Sequence, residues 1–218
     1  MNGFVLAGGE STRMGRDKAL LEMNGRLLVD HALELLRGLD SSPRLCGSRP
    51  DLARFAGVVP DNFPQCGPLA GIEAALAVSD SDLNVFVPVD LPGLPSGFLR
   101  WMMTRAERSH AVATIPRHGG RTHPLCAVYS RRLLDGLRRS LAAGDCKVMI
   151  ALEDAAASVG EALDVFDVEA VASTQLPGEW PSHPPLAEWF RNVNTPADYE
   201  LLRARLEQKA ALQNTENG

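Results

Sequence analysis

Residues 4 to 21 read FVLAGGESTRMGRDKALL. Gly8 and Gly9 follow a short apolar run, and Arg13 and Lys18 come soon after. That set suits an anion. Glycines let backbone N–H groups approach phosphate oxygens closely. An arginine grips two oxygens in a planar fork, and a lysine acts as a movable point charge. Farther along, the apolar run LNVFVPVD ends on Asp90, a carboxylate of the kind that holds Mg²⁺ together with phosphate oxygens. Together these residues point to a nucleoside triphosphate with a divalent metal. The loop is not a Walker A motif, because Gly15 is followed by Arg16 and Asp17, and it contains no G-x-G-x-x-G. Hydrolysis of a γ-phosphate in the P-loop manner is therefore disfavoured. Each feature alone has a plainer explanation: a Gly-Gly turn, a solvated cation, an aspartate starting a turn. Their conjunction carries the chemistry.

The elements that must position these residues alternate between strand and helix. GFVLA, PRLCG, GVVP and LNVFVPVD read as strands. LLVDHALELLRG has helical spacing at Leu28, Ala32, Leu35 and Leu36, and LAGIEAALAV reads as a helix after Pro68. SGFLRWMMTRAERS is helical with Ser96 as its expected N-cap. HAVATIP and PLCAVYS are strands flanking a hairpin-type turn at Gly119–Gly120. RRLLDGLRRSLAAG and CKVMIALEDAAA read as helices, and ALDVFDV as a strand. Strands alternating with helices imply βαβ units, hence an α/β fold with a mostly parallel sheet, helices on both faces and a small antiparallel addition. Ligands of such sheets bind beyond the carboxyl ends of the strands, so the loop after GFVLA and the one carrying Asp90 should share a crevice.

The chain has 218 residues, 45% of them apolar, and a formal net charge of -5. It can bury a substantial core, and its acidity argues against nucleic acid as a partner. One domain over residues 1–210 is expected, followed by a frayed tail at 211–218. The proline-rich segment at 170–188 reads as a surface excursion. No apolar run is long enough to cross a membrane, and no signal peptide precedes Gly8. The four cysteines, Cys46, Cys66, Cys126 and Cys146, form no C-x-x-C pair. They read as reduced thiols of a cytoplasmic protein.

LAGGESTRMGRDKALL resembles the signature of the MobA-like nucleotidyltransferases, L-A-G-G-x-S-x-R-M-G-x-D-K. DNFPQCGPLAGI, FVPVDLPGLP, HPLCAVYS, GDCKVMIAL and FRNVNTPADYELL resemble stretches of its molybdenum cofactor guanylyltransferase branch. The resemblance runs from residue 3 to about residue 202. It implies a Rossmann-like fold of the nucleotide-diphospho-sugar transferase kind. It also implies transfer of GMP from GTP, with Mg²⁺, to the terminal phosphate of Mo-molybdopterin, giving the guanine dinucleotide cofactor and pyrophosphate. Cofactor-delivery proteins or molybdoenzyme chaperones are further implied partners. Carried over by motif, Leu6, Ala7, Gly8 and Gly9 line the nucleotide, Lys18 meets its phosphates and Asp61 lies in the nucleotide pocket. Asp90 is the metal ligand, Arg13 and Lys18 support the reaction, and Asn192 and Asn194 sit toward the pterin. Two readings stay open beside it: a transferase using CTP or another acceptor, and a nucleotide- or cofactor-binding protein without turnover. Cys46 stands where the guanylyl branch often has asparagine. His123, Arg121 and Lys147 read as structural or solvated.

Overall fold

A computed structural model describes residues 1–8, 17–23, 25–175, 180–181, 184–193, 197–198 and 200. Gly9, Arg13, Asn194 and the tail at 211–218 lie outside the described residues.

The strands are β1 (Asn2–Leu6), β2 (Glu22–Met23), β3 (Arg26–Leu27), β4 (Arg44–Cys46), β5 (Val58–Val59), β6 (Leu83–Pro88), β7 (Ala113–His118), β8 (Arg121–Thr122), β9 (Ala127–Ser130) and β10 (Asp164–Asp167). The α-helices are α1 (Leu28–Arg37), α2 (Pro68–Val78), α3 (Ser96–Ser109), α4 (Leu134–Ala142), α5 (Val148–Ser158), α6 (Val168–Ala172) and α7 (Leu186–Trp189). The main sheet runs β10-β7-β9-β6-β1-β4-β5, with β8 paired to β7. β1 pairs in parallel with β4 on one side and β6 on the other, so the order switches at β1. β9 is antiparallel to both β6 and β7. The antiparallel component thus includes a strand inside the sheet as well as the β7–β8 hairpin at Gly119–Gly120.

Alternation along the strands feeds two cores, because successive side chains point to opposite faces. Val5, Leu45, Val85 and Val87 face α1 and α3. Phe4, Leu6, Cys46 and Phe86 face α2, α4 and α5. On that second face Phe4, Phe86 and Tyr129 form a ladder with ring centroids 5.3 and 5.4 Å apart, each pair worth about 1 kcal/mol beyond its burial. α2 is buried from Leu69 to Leu76. Its Ala- and Leu-rich sequence presents no polar face, as befits a helix packed between a sheet and α4.

Two local expectations are corrected. Pro95, not Ser96, is the N-cap of α3, and no side chain caps it. β2 and β3 form a short antiparallel pair, Glu22 opposite Leu27 and Met23 opposite Arg26. The segment at 170–188 is not only a surface excursion. Its Trp180 packs edge-on against Phe98 and Trp101 and tilted against Trp189, with ring centroids 5.3 to 5.8 Å away. Large rings bury easily against another aromatic cluster even in a segment without periodicity.

Candidate active site

The carboxyl ends of β1, β4, β5 and β6 open into a cleft of about 210 Å³. Leu6, Ala7 and Gly8 form its floor, Lys18 and Asp90 one end, and Cys46, Asp61 and Gly71 the other. Backbone geometry brings these loops together. Gly47, after β4, has φ 129, and a Cβ there would come 2.8 Å from the Gly8 Cα. Only glycine allows this approach of the β4 loop to the β1 loop. Gly71 works similarly on α2: a Cβ there would meet Leu6 Cδ2 at 3.3 Å and the Cys46 Cβ at 3.4 Å. Gly67 meets no neighbour within 4 Å, but its φ of 57 turns the chain into α2. The end of α2 at Gly67 and Pro68 therefore faces the cleft.

At the first end, Lys18 Nζ lies 3.3 Å from Asp90 Oδ2. The two side chains are 23% and 16% exposed, so the pair sits within the wall and not in bulk solvent. Lys18 opens a one-turn helix whose N-cap, Asp17, accepts the N–H of Ala19 at 3.0 Å. Asp90 follows β6, which is extended by a bond from Val89 N to Leu6 O (3.2 Å). The meeting of Lys18 and Asp90 follows from β1 and β6 being parallel neighbours.

At the other end, Asp61 follows β5. Its Oδ1 is buried and has no hydrogen-bond partner. Burial pushes its carboxyl above the usual range, opposed by a bond from the Ser48 backbone. Cys46 is buried beside it, and burial first, then the Asp61 charge, pushes that thiol up, so it stays neutral. The loop bearing Asp61 is pinned twice. Asn62 donates to the fully buried Glu73 of α2 at 3.0 Å, and Arg138 holds the other oxygen of Glu73 at 2.8 Å. Cys66 is disulfide-bonded to Cys146, across 80 residues of chain. This corrects the expectation of four reduced thiols; the packing of α4 and α5 over α2 brings the two loops together. Cys46 and Cys126 are free and buried.

A second, wider cleft of about 610 Å³ adjoins the first and shares Pro68, Pro88, Asp90 and Leu125 with it. Asn192 lines it, held close to Asp90 by a bond from Val193 N to Asp90 O (3.1 Å). Arg121 and His123 line it too. His123 packs tilted against Phe190 with centroids 4.3 Å apart, and burial, then His118, lowers its pKa. Its Nε2 has no partner. Arg121 and Lys147 are exposed.

Of the residues singled out in the sequence, Leu6, Ala7, Gly8, Lys18, Asp61 and Asp90 thus share one cleft, and Asn192 lies next door beside Asp90. Asp17, Gly47 and the second cleft's His123 were not assigned functional roles from the sequence. Among the described residues no group of three or more His, Cys, Asp or Glu side chains could cage a metal ion. No described helix is long and apolar enough to cross a membrane.

The family model of the MobA-like NTP transferase domain matches residues 3–158. The chain belongs to this family. A molybdenum cofactor guanylyltransferase of Cereibacter sphaeroides is 40% identical over 155 residues, covering 67% of this chain and 78% of that protein. A probable molybdenum cofactor guanylyltransferase of Pelotomaculum thermopropionicum is 33% identical over 209 residues, covering 94% and 91%. Among solved structures, molybdopterin-guanine dinucleotide biosynthesis protein A from Archaeoglobus fulgidus superposes with a TM-score of 0.76 at 24% identity, over 95% of this chain and all of that one. The MobA-like match spans both ends of the first cleft, from β1 to α5.

Proposed function

We propose that this NTP transferase moves a guanylyl group from GTP to the terminal phosphate of Mo-molybdopterin, forming the guanine dinucleotide cofactor. The observation that carries the reading is the junction of two clefts at Asp90, in a chain whose relatives include molybdenum cofactor guanylyltransferases. One cleft would take GTP and the wider one the acceptor, so that the two phosphates meet at the shared wall.

GTP would lie with its base toward Asp61 and its phosphates toward Lys18. A carboxylate with a buried unpaired oxygen suits a partner with neighbouring N–H donors. Guanine offers N1–H and the 2-amino group on one edge. Leu6, Ala7 and Gly8 would run beneath the nucleotide, joined by Gly9. Asn192, and Asn194 beside it in sequence, would line the acceptor side.

Asp90 fits Mg²⁺. It is a hard oxygen donor in the cleft wall, and Mg²⁺ commonly takes one or two carboxylates and completes its shell with phosphates and water. When bound there, the ion would supply charge neutralisation across phosphate oxygens.

In the reaction, an oxygen of the acceptor's terminal phosphate forms a bond to the α-phosphorus of GTP. The bond from that phosphorus to the β-bridging oxygen breaks, and its electron pair leaves with pyrophosphate. The attacking oxygen is already anionic, so no side chain needs to remove a proton. Lys18 would leave its Asp90 partner and stabilise the departing pyrophosphate, with Arg13 in the same role. Positioning and electrostatic stabilisation supply the catalysis.

The test is transfer of label from GTP labelled at the α-phosphate, with Mg²⁺ and Mo-molybdopterin. The expected result is label in the dinucleotide, with one pyrophosphate per transfer. Acceptor-independent pyrophosphate, or no labelled dinucleotide, contradicts the reading. Its cellular setting is proposed to be the cytoplasm, checked by fractionation.

A further inference from the structure

Asp17 raises a question of sign. It lines the same cleft as Lys18, and a carboxylate beside bound phosphates repels them. Its oxygens, however, are turned to other work. Oδ1 accepts the backbone N–H of Ala19 and so caps the turn that begins with Lys18. Both oxygens also meet Arg49: Nη1 lies 3.3 Å from Oδ1, and Nη2 bonds Oδ2. Arg49 comes from the loop after β4, two residues beyond the glycine that closes on Gly8. Its fork takes Asp51 as well, with Nε at 2.9 Å and Nη2 at 2.6 Å. Bonding to Asp51, then to Asp17, holds the guanidinium proton more firmly still. A planar fork seated between two carboxylates fixes direction as well as distance.

We propose that Asp17 and Arg49 form a clamp, braced by Asp51, that positions Lys18 for the triphosphate. The proposal rests on the GTP reading above. Both residues act through Lys18: the fork fixes the Asp17 carboxylate, the carboxylate fixes the Ala19 N–H, and that fixes the turn on which Lys18 stands. They are positioning residues, and neither needs to touch the nucleotide. The Asp17 of the G-x-D-K signature thereby gains a role that its charge alone would deny it.

The clamp and simple repulsion differ in sign. Asp17→Asn removes the charge with little change of shape. Repulsion alone predicts tighter GTP binding by this variant; the clamp predicts binding weaker by about tenfold. Titration calorimetry with GTP and with guanosine, in Mg²⁺, reads both. The expected result is that D17N and R49A each weaken GTP and leave guanosine unchanged. In a K18A background either change should add little, because the residue they act through is gone. Unchanged or improved GTP binding by D17N overturns the proposal. So does an R49A loss as large in K18A as in wild type, which would mean direct contact with phosphate. Equal losses of GTP and guanosine affinity overturn it too, since the effect would then not pass through the phosphate end. Wild-type protein that binds GTP no better than guanosine removes the parent reading of Lys18, and the clamp with it.

Discussion

The two ends of the first cleft hold their polar groups in opposite ways. Around Lys18 the charges are paired: Lys18 with Asp90, and Asp17 with Arg49 from the loop after β4. Near β4 and β5 the Asp61 Oδ1 is buried without a partner, between Cys46 and α2. A paired site must be opened by its ligand, which exchanges one set of ion pairs for another. An unpaired site is filled by its ligand, which supplies the donor that folding left out. Leaving a buried acceptor unmet costs about 1–3 kcal/mol, a cost that a ligand donor removes. On the proposed reading, the Lys18 end is suited to rearrangement during reaction, and the Asp61 end to selection before it.

The sharpest way to break this contrast is at Asp90. Asp90→Ala is expected to lower turnover about 10³-fold, while circular dichroism shows an unchanged fold. Near-normal pyrophosphate release by the variant would remove Asp90 from the reaction. The covalent pin of the base-side loop comes next. Cys66→Ser should lower the unfolding free energy by about 4 kcal/mol, given a loop of 80 residues. Denaturant titration measures it, and thiol counting on unreduced, unfolded wild type should find the two free cysteines alone. Lys18→Ala should weaken GTP about 10–100-fold, with unchanged affinity excluding its phosphate role.

Asp61→Asn should weaken GTP about tenfold and reduce the preference for guanine. Its smallest effect concerns stability, and the sign follows from burial. The folded carboxyl is pushed above its unfolded value. Its favourable contribution is therefore complete below the unfolded value and lost as pH rises through the folded one. At neutral pH the charged group is a slight burden, so the ligand-free Asp61→Asn protein should be slightly more stable than wild type. That gain should vanish as pH falls toward the carboxylate range. Denaturant titrations at neutral and acidic pH compare the two, and a gain that grows on acidification would contradict it.

Much of this was legible in the sequence. Lys18 and Asp90 each follow a strand-like apolar run, and parallel strands deliver such endings to one edge. The pairing of β1 with β6 needed no more than that rule. The rest depends on contacts that carry no local pattern. Arg49 reaches Asp17 across 32 residues, and nothing in SRPD marks it as a clamp. The disulfide joins two loops only because α4 and α5 pack over α2. β9 follows β7 in the chain yet slots between β6 and β7, a choice made by pairing and not by periodicity. Trp180 sits in a proline-rich stretch whose composition suggests solvent, yet it joins the aromatic cluster around Phe98.

The proposed cleft selects guanine at Asp61 and holds the phosphates at Lys18. Titration calorimetry of the wild-type protein with GTP, CTP and ATP, each with Mg²⁺, tests it most directly. GTP binding clearly tighter than the other two, with the preference lost in Asp61→Asn, is the predicted result. Equal affinity for all three, or a preference for CTP, would contradict it.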